Sequence, residues 1–438
     1  MIKQVVVIII TILSIQCYAQ QGTSSPYSFY GIGSLKYKGT IENRSMGGIG
    51  VYLDSIHVNL RNPASYAGNN LENAFFQNES RPVKFAVAGG NTSLNLQSST
   101  TTENTASTTF EYLAVSIPIG KLGFGFGLLP YSSVGYKLEN FDDDTGEIEN
   151  RFTGEGGLNK VFLGFGYQIT RSLSAGVDIN YNFGSIQNSA VLYQYDEDGN
   201  RIQYQTREQD RSDLSGLNLN FGLAYKGNIN EKLELSATAA FAPESKLSSI
   251  NERNFSTITV NPFTGEEFEF NTINADLESE GLDETDLKLP YRLALGTGIG
   301  ENRKWFIGAE YTFQNTSVFA NPIFGNTNSE FENSSNIAIG GFYIPDYNSF
   351  SSYFKRVVYR AGFNVGNTGL IINNEPINEF GISFGLGLPV GELFSNANIG
   401  FEYGQRGTTN QNLIKENFIN INISLSLNDR WFRKRKYN

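Results

Sequence analysis

Asp178, Arg292, Glu310, Arg360 and Glu402 each stand between apolar or aromatic neighbours, inside stretches that alternate apolar with small or polar residues. Successive side chains of a strand point to opposite faces, so these five charges are expected on the face turned away from the apolar set. An isolated charge buried there is very costly. The five are therefore expected to pair with each other or with Arg44, Asp54 and Arg61 of one stretch near the N-terminus. Such a lumen charge network would fix that stretch in place; a permeation or gating role would use the same groups. Catalysis finds less support. His57 is the chain's one histidine and no strand-borne triad partner accompanies it, so it reads as a packing or hydrogen-bonding group and no enzyme is expected. The run from Asp196 to Asn200 starts like a calcium loop, but Arg207 stands where the closing glutamate belongs, and Asp198-Gly199 is a turn signal. Gly296, Gly298 and Gly300 lack the Lys-Ser/Thr and the helix of a phosphate loop. No metal or cofactor is expected.

The stretch 44–66 holds Gly47-Gly48, which permit close approach or positive φ, and the turn Asn62-Pro63-Ala64. It reads as a plug, or hatch, within residues 20–83. The Asn-Pro turn either is a rigid corner only or sets the position of a movable hatch. Residues 1–19 read as a secretory signal: Lys3, an apolar run over 5–13 too short to span a bilayer, and a site before Gln20. A lipoprotein reading would acylate Cys17, but Gln16 replaces the small residue usual before it. Without that segment the chain keeps no cysteine, which excludes disulfides and thiolate chemistry.

Residues 84–427 carry the alternation. Ile419, Ile421, Ile423, Leu425 and Leu427 interleave with Asn420, Asn422, Ser424 and Ser426; the stretches 217–225 and 380–388 repeat the pattern. One face suits an apolar medium and the other a polar interior. Charged residues are 18%, low for a soluble domain, and the net charge of −11 argues against nucleic acid. The fold class is all-β: a transmembrane antiparallel β-barrel of about fourteen strands with an N-terminal plug in its lumen. Strands are expected at 84–96, 108–119, 122–138, 159–169, 173–195, 211–226, 233–250, 286–300, 305–313, 336–343, 356–365, 377–389, 397–405 and 417–427. Short connections alternate with long ones, as periplasmic turns alternate with outer loops. Residues 344–355 break the rule, being long on the periplasmic side; either they pack under the barrel or the register slips there. The tail 428–438, with Trp431, Phe432 and five Arg or Lys residues, suits a membrane interface and anionic headgroups, or a partner.

The opening Ser25-Pro26-Tyr27-Ser28, the segment Asn43-Arg44-Ser45-Met46-Gly47-Gly48, the turn Asn62-Pro63-Ala64-Ser65-Tyr66 and the basic aromatic ending resemble the FadL/TodX family of outer-membrane proteins, in a Bacteroidota-type variant. The resemblance implies passive uptake of small hydrophobic molecules across the outer membrane. Some relatives instead serve protein secretion or assembly machines as non-transporting subunits. The implied partners are outer-membrane lipids, a hydrophobic ligand and proteins of such a complex. Two features depart from the family: no aromatic residue closes the last strand at the chain's end, and the inward set is rather polar.

Overall fold

The computed structural model describes residues 22–37, 39–54, 56–67, 82–142, 145–261, 264–319, 328–390 and 395–429. The signal-peptide reading of 1–19, most of the basic tail and the stretch 68–81 lie outside them. Fourteen antiparallel strands close into one barrel. They are β1 (Val83–Gln97), β2 (Thr102–Ile119), β3 (Leu122–Pro130, continued as Ser132–Phe141), β4 (Ile148–Gln168), β5 (Leu173–Leu192), β6 (Gln205–Asn228) and β7 (Leu233–Ala242, continued as Ser245–Val260). There follow β8 (Glu284–Leu289, continued as Arg292–Glu301), β9 (Trp305–Gln314), β10 (Ser334–Tyr343), β11 (Val358–Ile372), β12 (Glu375–Pro389), β13 (Asn396–Arg406) and β14 (Lys415–Asp429). Closure is made by β14 against β1, from Val83↔Asp429 to Gln97↔Lys415.

The wall is inside-out relative to a soluble protein. On β14, Ile421 is 49% exposed and Asn422 only 3%. The inward amides satisfy one another: Asn182 donates to Asn218 (3.0 Å) and Asn220 to Asp178 (3.0 Å). A closed ring leaves no edge in lipid, and its apolar outer face with a polar interior is the architecture of a bacterial outer-membrane barrel.

Each expected strand is present, but several expected loops are strand. An apolar band about 25 Å tall needs only nine to eleven tilted residues, roughly; β6 has 24. Beyond the band both faces of a strand are polar, so the apolar alternation stops while the hydrogen-bonded ladder goes on. Residues 97–107, 139–158 and 366–376, expected as loops, are mostly hairpin ends. The acidic stretch 251–285 contains a further strand, Glu267–Asn274, on the outer end of β7. Asp196–Asn200 is a tight turn, with Gly199 N–H donating to the Asp196 carbonyl (3.0 Å).

Three strands expected to be continuous are interrupted at the band's outer edge, each beside a proline: Pro130 ends the first part of β3, and Pro243 and Pro290 lie in the breaks of β7 and β8. Proline gives the ladder no N–H and fixes φ. At Pro130 the consequence is largest. The first part of β3 pairs with β2 from Leu128↔Leu113 to Leu122↔Ile119, but the second part leaves β2. Its freed edge pairs instead with a two-residue strand of the N-terminal segment, Ser34↔Ser133 and Leu35↔Ser132. Residues 344–357 stay on the periplasmic side with the β10–β11 register intact, and Ile344 is buried beneath the wall.

Candidate functional site

The described residues of the stretch 22–67 pack against the inward face of the ring. The helical turn Ile41–Arg44 is capped by Thr40, whose side chain and Asn43 satisfy each other's backbone in a capping box. Gly47 follows at φ +70°, and its N–H donates to Ser383 Oγ (2.8 Å). A Cβ on Gly362 of β11 would fall on the Gly47 backbone, so the two segments touch main chain to main chain. The turn Pro63–Tyr66 is capped by Asn62, whose Oδ1 accepts from Ala64 N–H (3.0 Å). The same side chain donates Nδ2 to the Leu223 carbonyl of β6 (2.9 Å) and to Ala239 of β7 (3.2 Å). One residue thus shapes the turn and fastens it to two strands. Tyr66 beyond it is buried and stacks on Phe162 of β4.

Between this segment and the wall lies a central cavity of about 410 Å³. Among the described residues, five cations line it, Lys36, Arg44, Arg61, Arg292 and Arg406, with five carboxylates, Glu111, Glu310, Glu379, Glu402 and Glu416. Arg44 reaches Glu402 of β13 at 2.8 Å and Glu111 of β2 at 3.6 Å. Arg61 pairs with Glu310 of β9, whose other oxygen accepts from Gly50 N–H (2.7 Å). The guanidinium of Arg61 also sits 5.3 Å over the Tyr37 ring. Arg406 holds Glu379 (2.5 Å) and Glu416 (3.7 Å), and Glu416 accepts from the Ser25 hydroxyl. Burial pushes the Lys36 ammonium down to about 8, against the pull of Glu111.

The five strand charges anticipated from sequence all face inward, but they do not form one cluster. Glu310 and Glu402 bind Arg61 and Arg44, and Arg292 lines the same cavity. Asp178 lies against Asn220 and near Tyr66. Arg360 belongs to a second, periplasmic cavity of about 340 Å³, where it donates to Asn398 Oδ1 (3.1 Å). Asn398 in turn donates to Glu42 (2.9 Å). Asp54 binds the ring and the backbone N–H of His57, and Lys84 of β1 adds a favourable charge. Burial opposes ionisation of Asp54, but the imidazole outweighs it and holds the carboxyl below the usual carboxylate range.

Sequence reasoning missed Glu111, Glu379, Arg406 and Glu416. The last two continue the inward parity of β13 and β14 just past the apolar runs, so extending the parity finds them. Glu111 is less visible, because a bulge opposite Ala88 and Gly89 puts it on the lumen side with Tyr112.

The sequence model of the family described as BamG matches residues 1–438. No curated protein matches. Among solved structures, the Ralstonia pickettii toluene transporter TbuX superposes with a TM-score of 0.58 at 13% identity, over 90% of this chain and 100% of that one. The Pseudomonas putida toluene transporter TodX gives 0.55 at 15% identity, over 90% and 99%. A Pseudomonas aeruginosa FadL homologue gives 0.56 at 11% identity, over 90% and 98%. The fold is therefore that of the FadL-like outer-membrane barrels.

Proposed function

The chain belongs to the BamG family, and from that premise we propose that it is a plugged barrel acting as a membrane-embedded subunit of an outer-membrane protein secretion or assembly machine. The charged central cavity carries this reading. An apolar molecule moving through it would strip water from ten ionisable side chains and bring no compensating hydrogen bonds. Arg44 and Arg61 tie the N-terminal segment to β2, β9 and β13, so that segment acts as the plug. The Gly47–Gly362 contact and the Asn62 bonds add ties on other strands.

A second reading, passive uptake of small hydrophobic molecules, is favoured by one observation. Where β3 leaves β2 the wall is held by the N-terminal segment instead: Ser34 and Leu35 pair with Ser133 and Ser132, Lys36 N–H donates to the Tyr131 carbonyl (3.0 Å), and Ser28 Oγ accepts from Gly135 N–H (3.1 Å). An apolar cluster including Ile32, Val134, Leu158, Ile186 and Leu247 lies beside that place. In this reading a ligand collects there and departs sideways once Ser34–Leu35 lets go.

Mild detergent purification from native outer membranes, with mass spectrometry of proteins and lipids together, separates the two. The scaffold reading predicts stoichiometric protein partners and no bound apolar solute. A lone barrel carrying a reproducible apolar solute contradicts it and supports uptake.

A further inference from the structure

The β10–β11 hairpin joins a dented wall to an aromatic loop. Across β9 to β12 one outward row reads Ile307, Gly341, Ala361 and Phe384. The row on its outer side carries Ile339 and Phe363, and the row on its periplasmic side Tyr343 and Tyr359. Gly341 and Ala361 project almost nothing between these large side chains, so the lipid-facing wall holds a groove of about 1040 Å³.

The loop 344–357 hangs from the periplasmic end of the same two strands. Its first part turns inward, with Ile344 5% exposed and Tyr347 packed on the cluster of Met46 and Phe342. Its second part turns out: Phe350 is fully exposed and Phe354 is 73% exposed. The lipid-facing Tyr359 donates its hydroxyl to the Phe354 carbonyl (3.2 Å), which holds Phe354 at the foot of the groove. Tyr353 donates to the Pro389 carbonyl (3.1 Å), drawing the loop toward β12. Lys355 follows and is exposed, whereas Arg356 turns to the periplasmic cavity. Asp346, across the loop from Lys355, turns its carboxylate to the Asn348 N–H.

Aromatic rings with a lysine at the edge of an apolar band are the composition of a membrane interface. We propose that groove and loop form one binding site for an anionic phospholipid of the periplasmic leaflet. Acyl chains lie over Gly341 and Ala361, the rings of Phe350, Tyr353 and Phe354 lie in the headgroup layer, and the Lys355 ammonium meets the phosphate. Continuity favours lipid over a second protein, because the groove opens on the lipid-facing band and the loop prolongs that band without a break.

The chain has two tryptophans, and Trp305 stands beside Tyr343 at the foot of the groove. In Trp431→Phe protein, Trp305 alone reports. The protein is placed in phosphatidylethanolamine bilayers doped with a brominated lipid, either phosphatidylglycerol or phosphatidylethanolamine. Brominated phosphatidylglycerol should reach half-quenching at about fivefold lower mole fraction, the effect of one lysine at a membrane surface. Lys355→Glu should abolish that preference, and Ala361→Phe should weaken quenching by both lipids. Unchanged heat-modifiable migration on gels shows that each variant is folded. Equal quenching of the Trp305 reporter protein by the two lipids overturns the proposal, as does a preference that survives Lys355→Glu. A photo-crosslinker at Phe350 that captures a protein in stoichiometric yield from native membranes overturns it as well.

Discussion

Glu310 is the residue on which most of the lumen geometry converges. Its carboxylate takes the Arg61 guanidinium and the Gly50 N–H from two separate parts of the N-terminal segment. Glu310→Ala removes the anion that Arg61 faces, and breaking such a buried pair costs about 3–5 kcal/mol. Urea unfolding should show that loss, and the double change Arg61→Leu with Glu310→Leu should recover most of it. A double variant no more stable than Glu310→Ala would contradict the assignment. Asp54 predicts a pH dependence. A depressed carboxylate stabilises the fold above the unfolded aspartate pKa of about 3.9, and the stabilisation is lost as pH falls through the folded value. Asp54→Asn should therefore lower the melting temperature at neutral pH, with the gap narrowing in acid; a constant gap from neutral pH to about pH 3 would contradict it. At this scale the sequence was legible through parity alone. Glu310, Glu402 and Arg360 are readable because apolar neighbours flank them. Their individual partners are not, because Arg44 lies 358 positions from Glu402 and only closure of the ring brings the two together.

Elements were more legible than residues. Alternation places all fourteen strands because lipid on one side and a polar lumen on the other impose opposite chemistry at every second position. Alternation ends with the lipid, so it could not report hairpins that run on into water. Alternation also runs through Pro130, Pro243 and Pro290, where a missing N–H and a fixed φ interrupt the strands. The element contact open to test is that between the Ile41–Arg44 turn region and β11. Gly362→Val places a side chain where the Gly47 backbone lies. Hydrogen exchange should then lose protection across residues 41–51 by about tenfold or more, a shift of some 1.4 kcal/mol, while β11 and β12 keep theirs. Loss in those strands to the same degree would mean that wall and segment are one cooperative unit.

For the whole molecule, the inverted burial pattern fixes a barrel in lipid, and the likeness to TbuX and TodX is a likeness of fold at 13–15% identity. What differs between readings of this chain is the lumen. Ten charged side chains around its central cavity suit a fixed plug better than a path for apolar solutes. The most direct measurement is the flux of a radiolabelled apolar solute, toluene, into protein-bearing liposomes, compared with empty liposomes and with liposomes holding the Arg44→Ala, Arg61→Ala variant. The plugged account predicts that the wild-type protein adds nothing to the rate of bare lipid. A wild-type rate clearly above bare lipid, saturable in toluene, would contradict it.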